Sequence, residues 1–310
     1  MGASGLSSRA IIGRFYQTLE ERAMKDWVGA ISMPSDSNQE SETYKWLGMV
    51  PALREWIGGR NAKGFRENGI TIDNKTFEAT LKIAVDDIRR DKTGQINIRI
   101  DELAVRALQH WNKLLSALIN NGESQLCYDG QYFFDTDHSE GDSGTQDNDI
   151  TYDVTTTTAP TAAEMELAIL KAVAQILGFK DDQGEPLNDG ASQFLVMVPT
   201  PFMAAAAAAL KNPVIIDGSG SRTNTIVNIG GFSFELAVNS RLTWTTKFAV
   251  YRSDGITKPL IRQEETGVEV SAVAEGSEHE FKENEHLYGV KSSRNVGYGM
   301  WQQACLVTLV

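Results

Sequence analysis

Hydrophobic and polar positions alternate most clearly at residues 77–85, where Phe77, Ala79, Leu81, Ile83 and Val85 are interleaved with Glu78, Thr80 and Lys82. A period of two puts every second side chain on one face of a strand. Ile70 and Ile72 read as a short partner strand and Asp73-Asn74 as a turn, so the expected unit is a hairpin, ended by the charged run DDIRRDK. Two strands cannot bury such a face alone, and a second subunit is one source of cover.

The period changes to three and four over residues 100–119, where Ile100, Leu103, Ala107, Leu108, Trp111, Leu114, Leu115, Leu118 and Ile119 form a stripe. This predicts a spine helix about 30 Å long, ended by Asn120-Asn121-Gly122 in a left-handed cap. A second helix is expected from Thr161, where Thr161 and Glu164 fit a capping box, to Gly178. A buried strand, FLVMV at 194–198, and a short alanine-rich helix after Pro201 follow. The remainder reads as strands: TIVNI, FSFELAV, TWTTKFAVY, PLIRQEE, VEVSAV and the last segment from His286. Helices come first and strands later, without strict alternation, so the class is α+β.

The ends of these elements are less regular. Residues 1–45 read as an arm with one amphipathic helix, carrying Ile11, Ile12, Phe15 and Leu19, and a loose polar linker. Trp46, Leu47, Leu53, Trp56 and Ile57 then make a dense apolar cluster that has to pack on something. Residues 139–160 hold few large apolar side chains and are expected to be exposed and mobile.

Composition narrows the function. The 310 residues carry a formal net charge of -12, which disfavours phosphate binding by the surface as a whole. Cys127 and Cys305 are far apart, so neither a disulfide framework nor a cysteine zinc site is expected. No export signal and no membrane-spanning run is read, which points to a reducing cytoplasm. Phosphate-loop, dinucleotide, zincin and nucleophile-elbow motifs are missing.

The one stretch with candidate chemistry is CYDGQYFFDTDHSEGDSG at 127–144, in which Asp135, Asp137 and His138 could approach a metal. A calcium loop counted from Asp135 has Glu140 where glycine is needed and Gln146 where glutamate is needed. In an extended loop, 135 and 137 point one way and 138 the other. The expectation is therefore a solvated acidic loop rooted by Tyr132, Phe133 and Phe134, with neither metal nor cofactor. A metal-dependent hydrolase on these three residues is the competing class. His110, His279 and His286 read as partners of carboxylates.

Four stretches in order give the chain a resemblance to the major head subunit family of Mu-like tailed bacteriophages. They are ETYKWLGMVPALREWIGGR (42–60), ITIDNKTFEATLKIAVDDIRRD (70–91), the spine helix, and LCYDGQYFFDTDH (126–138). The resemblance implies a capsid fold of the Hong Kong 97 type and no enzymatic activity. Its parts would be an N-terminal arm (1–45), an extended loop (46–98), a peripheral domain (99–155 and 278–310) and an axial domain (156–277).

It further implies a virion protein assembled in the host bacterial cytoplasm as hexamers and pentamers. A separate scaffolding protein and a portal would be partners, a decoration protein a further candidate, and the DNA would be enclosed without sequence-specific binding. Phe77, Ala79, Leu81, Ile83, Val85, Trp46 and Trp56 are the expected subunit interface. Covalent cross-linking is not expected. A nanocompartment shell subunit of the same fold is the nearest alternative.

Overall fold

Two strands of 14 residues, β13 (Leu260–Val273) and β14 (Glu285–Tyr298), pair antiparallel and run about 45 Å at the usual rise per residue. The structure is a computed structural model describing residues 7–22, 27–45, 69–90, 94–218 and 220–310. Trp46 and Trp56 lie outside the described residues. PLIRQEE and VEVSAV, expected as separate strands, are both part of β13. The interruption between them is a bulge at Thr266, beside Gly267.

β1 (Ser32–Asp36) joins β13 in parallel, and β4 (Lys75–Ala84) joins β14 antiparallel, completing a four-stranded sheet in the order β1-β13-β14-β4. The expected hairpin is corrected here. β3 (Ile70–Asp73) pairs with β2 (Ser41–Tyr44), while β4 turns away to β14. A buried Gln263 divides the two by holding β3: its Nε2 donates to the Ile72 carbonyl at 2.9 Å and its Oε1 accepts from Tyr44 Oη at 2.7 Å. The polar stretch 32–43 is thus no loose linker, because its backbone groups are spent in β1 and β2.

One face of this sheet is covered by the chain itself. Ile83, Tyr288 and Val290 pack against Ile11 and Phe15 of α1 (Ser8–Glu21) and Ile96, Ile100 and Ala104 of α4 (Gln95–Leu108). Arg14 and Thr18 on α1 both donate to Asp101 on α4, which pins the two helices together. Val85 opens the short α3 (Val85–Arg90), where it and Ile88 are buried. Ile83 and Val85 therefore do not wait for a neighbouring subunit to bury them.

The spine begins earlier than its apolar stripe indicates and breaks once. α4 ends at Leu108 and α5 (His110–Asn120) follows after Gln109, which keeps right-handed backbone angles. The rod, about 39 Å long at 1.5 Å per residue, serves two cores. α4 feeds the small core just described, and α5 sends Leu115 and Ile119 into the main one. It does not end in a left-handed cap, since Asn121 has φ -95°. Gly122 is needed for a different reason: a Cβ there would lie 2.5 Å from Phe134 Cδ2.

The main core surrounds a five-stranded sheet, order β11-β8-β12-β15-β7. Its strands are β7 (Asp149–Tyr152), β8 (Gln193–Val198), β11 (Ser233–Val238), β12 (Lys247–Arg252) and β15 (Ala304–Leu309). α2 (Trp27–Ile31), α6 (Ala162–Gly178) and α7 (Met203–Lys211) pack on it through Val28, Ile31, Ile169, Ile176, Ala206 and Ala209. The Thr161/Glu164 capping box is formed as expected.

TIVNI is a helical turn, α8 (Thr225–Asn228), and no strand, because buried Asn224 caps it by accepting from Ile226 N at 2.9 Å. A small hairpin, β9 (Val214–Asp217) with β10 (Gly220–Thr223), stands between α7 and α8. The expected domain cuts at 155/156 and 277/278 run across both sheets: they part β7 and β15 from β8 and β12, and β13 from β14.

Candidate assembly surface and the acidic loop

The acidic loop is rooted in aromatic packing. Phe133 stacks on Tyr298 at 4.6 Å between ring centroids, and Phe134 meets Phe133 edge-on at 4.8 Å. No strand forms there, and Tyr132 is exposed. Tyr128 and Gln302 exchange hydrogen bonds, and the Cys127 amide donates to the Gln131 carbonyl at 2.6 Å. Gly130, with φ +90°, makes the intervening turn.

Of its three candidate ligands, Asp135 and Asp137 meet and His138 lies apart. His138 is fully buried, stacked on Trp301 at 3.9 Å and 9°, with Nδ1 2.6 Å from Asp129 Oδ2. The Asp135 carboxylate accepts from the amides of Tyr132 and Thr136 at 3.0 and 2.8 Å. Asp137 is exposed, and its hydrogen bond with Asp135 raises its pKa. Among the described residues no three His, Cys, Asp or Glu side chains are grouped so as to hold a metal ion.

Residues 139–150 are not an exposed strap, which corrects the expectation there, whereas Asp153, Thr155, Thr156, Thr158 and Ala159 are exposed as expected. Glu140, Ser143, Gln146, Asn148 and Ile150 are buried. β5 (His138–Ser139) pairs with β6 (Thr145–Gln146), and the Gln146 side chain exchanges hydrogen bonds with both backbone groups of Lys180. Asn148 is the bolt. Its Oδ1 accepts from the Asp135 amide and its Nδ2 donates to the Phe133 carbonyl, both at 2.9 Å. Trp301 and Asn148, which hold the loop through His138, Asp135 and Phe133, carried no signal in the sequence beyond their residue types.

The expected interface residues fall into three groups. Ile83 and Val85 are buried within the chain. Phe77 and Leu81 are half-buried, Phe77 edge-on to His110 at 4.3 Å. Ala79 is exposed on β4, an edge strand of its sheet. Such an edge carries backbone donors and acceptors that another chain can use. His110 is no carboxylate partner: burial, then the Arg294 and Lys113 charges, push its pKa down to about 4. His286 is one, 3.2 Å from Glu280.

Exposed apolar side chains sit elsewhere: Ile216 on β9 is 76% exposed, and Phe281 on α9 (Glu278–Glu283), between β13 and β14, is 90% exposed. In the sequence Phe281 is an aromatic residue inside a Glu-rich run, and that contrast is the signal that marks it. Among the described residues no helix is long and apolar enough to cross a membrane.

Residues 8–163 and 235–308 match the family model of the Mu-like prophage major head subunit gpT. The major capsid protein of Escherichia phage Mu is 28% identical over 280 residues, covering 89% of this chain and 65% of that protein. The Mu-like prophage FluMu major head subunit of Haemophilus influenzae is 40% identical over 105 residues, 34% of this chain and 34% of that protein. The chain thus spans less than two thirds of the length of either relative. The procapsid of bacteriophage JBD30 superposes with a TM-score of 0.55 at 24% identity, over 97% of this chain and 74% of that one.

Proposed function

The chain belongs to the Mu-like prophage major head subunit family, and from that premise we propose that it is a structural major capsid protein, assembling into the icosahedral head of a tailed bacteriophage around double-stranded DNA. Its fold is that of tailed-phage capsid proteins. The observation that carries the reading is the family match over both flanks of the chain, joined to a fold likeness that covers 97% of it.

The site geometry supports a role without catalysis. Asp135 and His138, which a hydrolase would need free, are occupied as a loop cap and as a buried stacking partner. In this reading copies of the chain form hexamers and pentamers through heterologous contacts that close into rings. A separate scaffolding protein and a portal are the partners, a decoration protein joins some shells, and assembly takes place in the host cytoplasm. The net charge of -12 fits a wall that holds DNA by confinement.

The peripheral part is residues 99–155 and 278–310, which hold most of the spine with β7, β14 and β15, and the axial part is residues 156–277, which hold α6, α7, β8, β12 and β13. The N-terminal arm is residues 1–45 and the extended loop residues 46–98, with Phe77, Ala79 and Leu81 in the contact zone between copies, together with Trp46 and Trp56.

Electron microscopy of the purified protein, with light scattering after size exclusion, tests the proposal. Uniform shells, or rings of five and six, are the expected result. A monomer that stays monomeric at high concentration with its scaffolding partner present would overturn it.

A further inference from the structure

Phe281 is an aromatic side chain held rigidly in water. α9 is capped by Ser277, whose Oγ accepts from Glu280 N at 3.1 Å, and Glu280 in turn accepts from Gly276 N at 2.6 Å. Asn284, at φ 53°, ends the helix and gives its carbonyl to Val85 N at 3.0 Å. These bonds fix the turn, yet Phe281 remains 90% exposed. Single exposed apolar residues are common, but one on a turn this well anchored has the form of a docking residue.

Beside it lies a pocket of about 370 Å³ at the corner of β4, α3 and α4. Its apolar lining is Ile83, Ala84 and Ile96, and its charged lining is Lys82, Arg90 and Arg99, with Asp87. α9 presents Glu278 and Glu283 beside Phe281 against one base, Lys282, while Glu280 is engaged by Gly276 N and His286. The signs are complementary: an acidic turn carrying an aromatic residue, and a basic rim around an apolar floor.

We propose that Phe281 of one copy seats in this pocket of a second copy. Turn and pocket adjoin at the same end of the sheet, since Lys82 pairs with Glu285 at 2.9 Å and Asn284 bonds Val85. Adjoining knob and hole fit an isologous contact, in which two copies exchange phenylalanines across a two-fold axis. The inference rests on the shell-forming reading above and adds to it the residues of one contact between copies.

The test mixes two single variants, Phe281→Cys and Arg99→Cys, under assembly conditions with mild copper–phenanthroline oxidation. The native Cys127 and Cys305 are buried, so background coupling is low. A disulfide-linked dimer formed by the mixture and by neither variant alone is the expected result. Phe281→Ser should lower shell yield ~10-fold at an unchanged urea midpoint. If wild-type protein assembles and the mixture gives no linked dimer, the contact is overturned and the capsid reading stands. An intrachain link in the double variant, with no dimer, also overturns it, by showing that Phe281 reaches its own pocket. If wild-type protein gives neither shells nor capsomers, the capsid reading falls and the contact with it.

Discussion

Gly122 has no side chain because Phe134 occupies the space where one would be. Gly122→Ala is expected to destabilise by roughly 1–3 kcal/mol, as overpacked cores do, read as a lower urea midpoint at unchanged slope. Asp149 offers a test with a defined sign. Burial first, and then repulsion from Glu123, raise its pKa to about 6, against the opposing pull of Lys247. The folded state therefore holds its proton more tightly than the unfolded chain, and stability falls as pH rises from about 4 to about 6. Asp149→Asn should leave stability near pH 4 unchanged and raise it above pH 6 by on the order of 2 kcal/mol. A melting series from pH 4 to 8 would show the two curves parting. His110 works in the opposite direction, since its lowered pKa costs stability as pH drops from about 6.5 to about 4.

Among elements, the acidic loop depends on few groups. Asn148→Ala would strand the Asp135 amide and the Phe133 carbonyl, each bonded to its side chain at 2.9 Å. The expected cost is about 2–4 kcal/mol, with faster hydrogen exchange across residues 133–148. His138 and Asp135 resemble ligands in the sequence because residue type and spacing are all that a sequence displays. Their roles depend on Trp301, distant in sequence, and on Asn148, beyond the β5–β6 turn, which become neighbours only after folding. Helix α6 is the opposite case: its stripe, its Thr161 cap and its Glu164 lie within one short window, so local chemistry predicted it whole.

For the whole molecule, the proposed shell requires surfaces that meet other copies. Ala79 is exposed on β4, between Phe77, which leans on His110, and Leu81, which packs at the small core. Ala79→Asp should therefore leave the subunit folded while lowering shell yield. Normal shells from that variant would remove Ala79 from the contact zone. Leu81→Asp with Ile83→Asp would instead damage the subunit, because Ile83 belongs to its own core.

Residue order was enough for whatever depends on neighbours along the chain. The period-two run of β4, the spine stripe, the capping box and the α+β order are all of this kind, and so is the family resemblance, which compares residues in order. Tertiary structure alone decided which strand pairs with β4, that one rod serves two cores, and that the acidic loop is bolted down. Those outcomes rest on contacts between residues far apart in the chain, such as Gln263 with Ile72 and Asn148 with Trp301. Periodicity tells which face of an element is apolar; only packing tells what covers it.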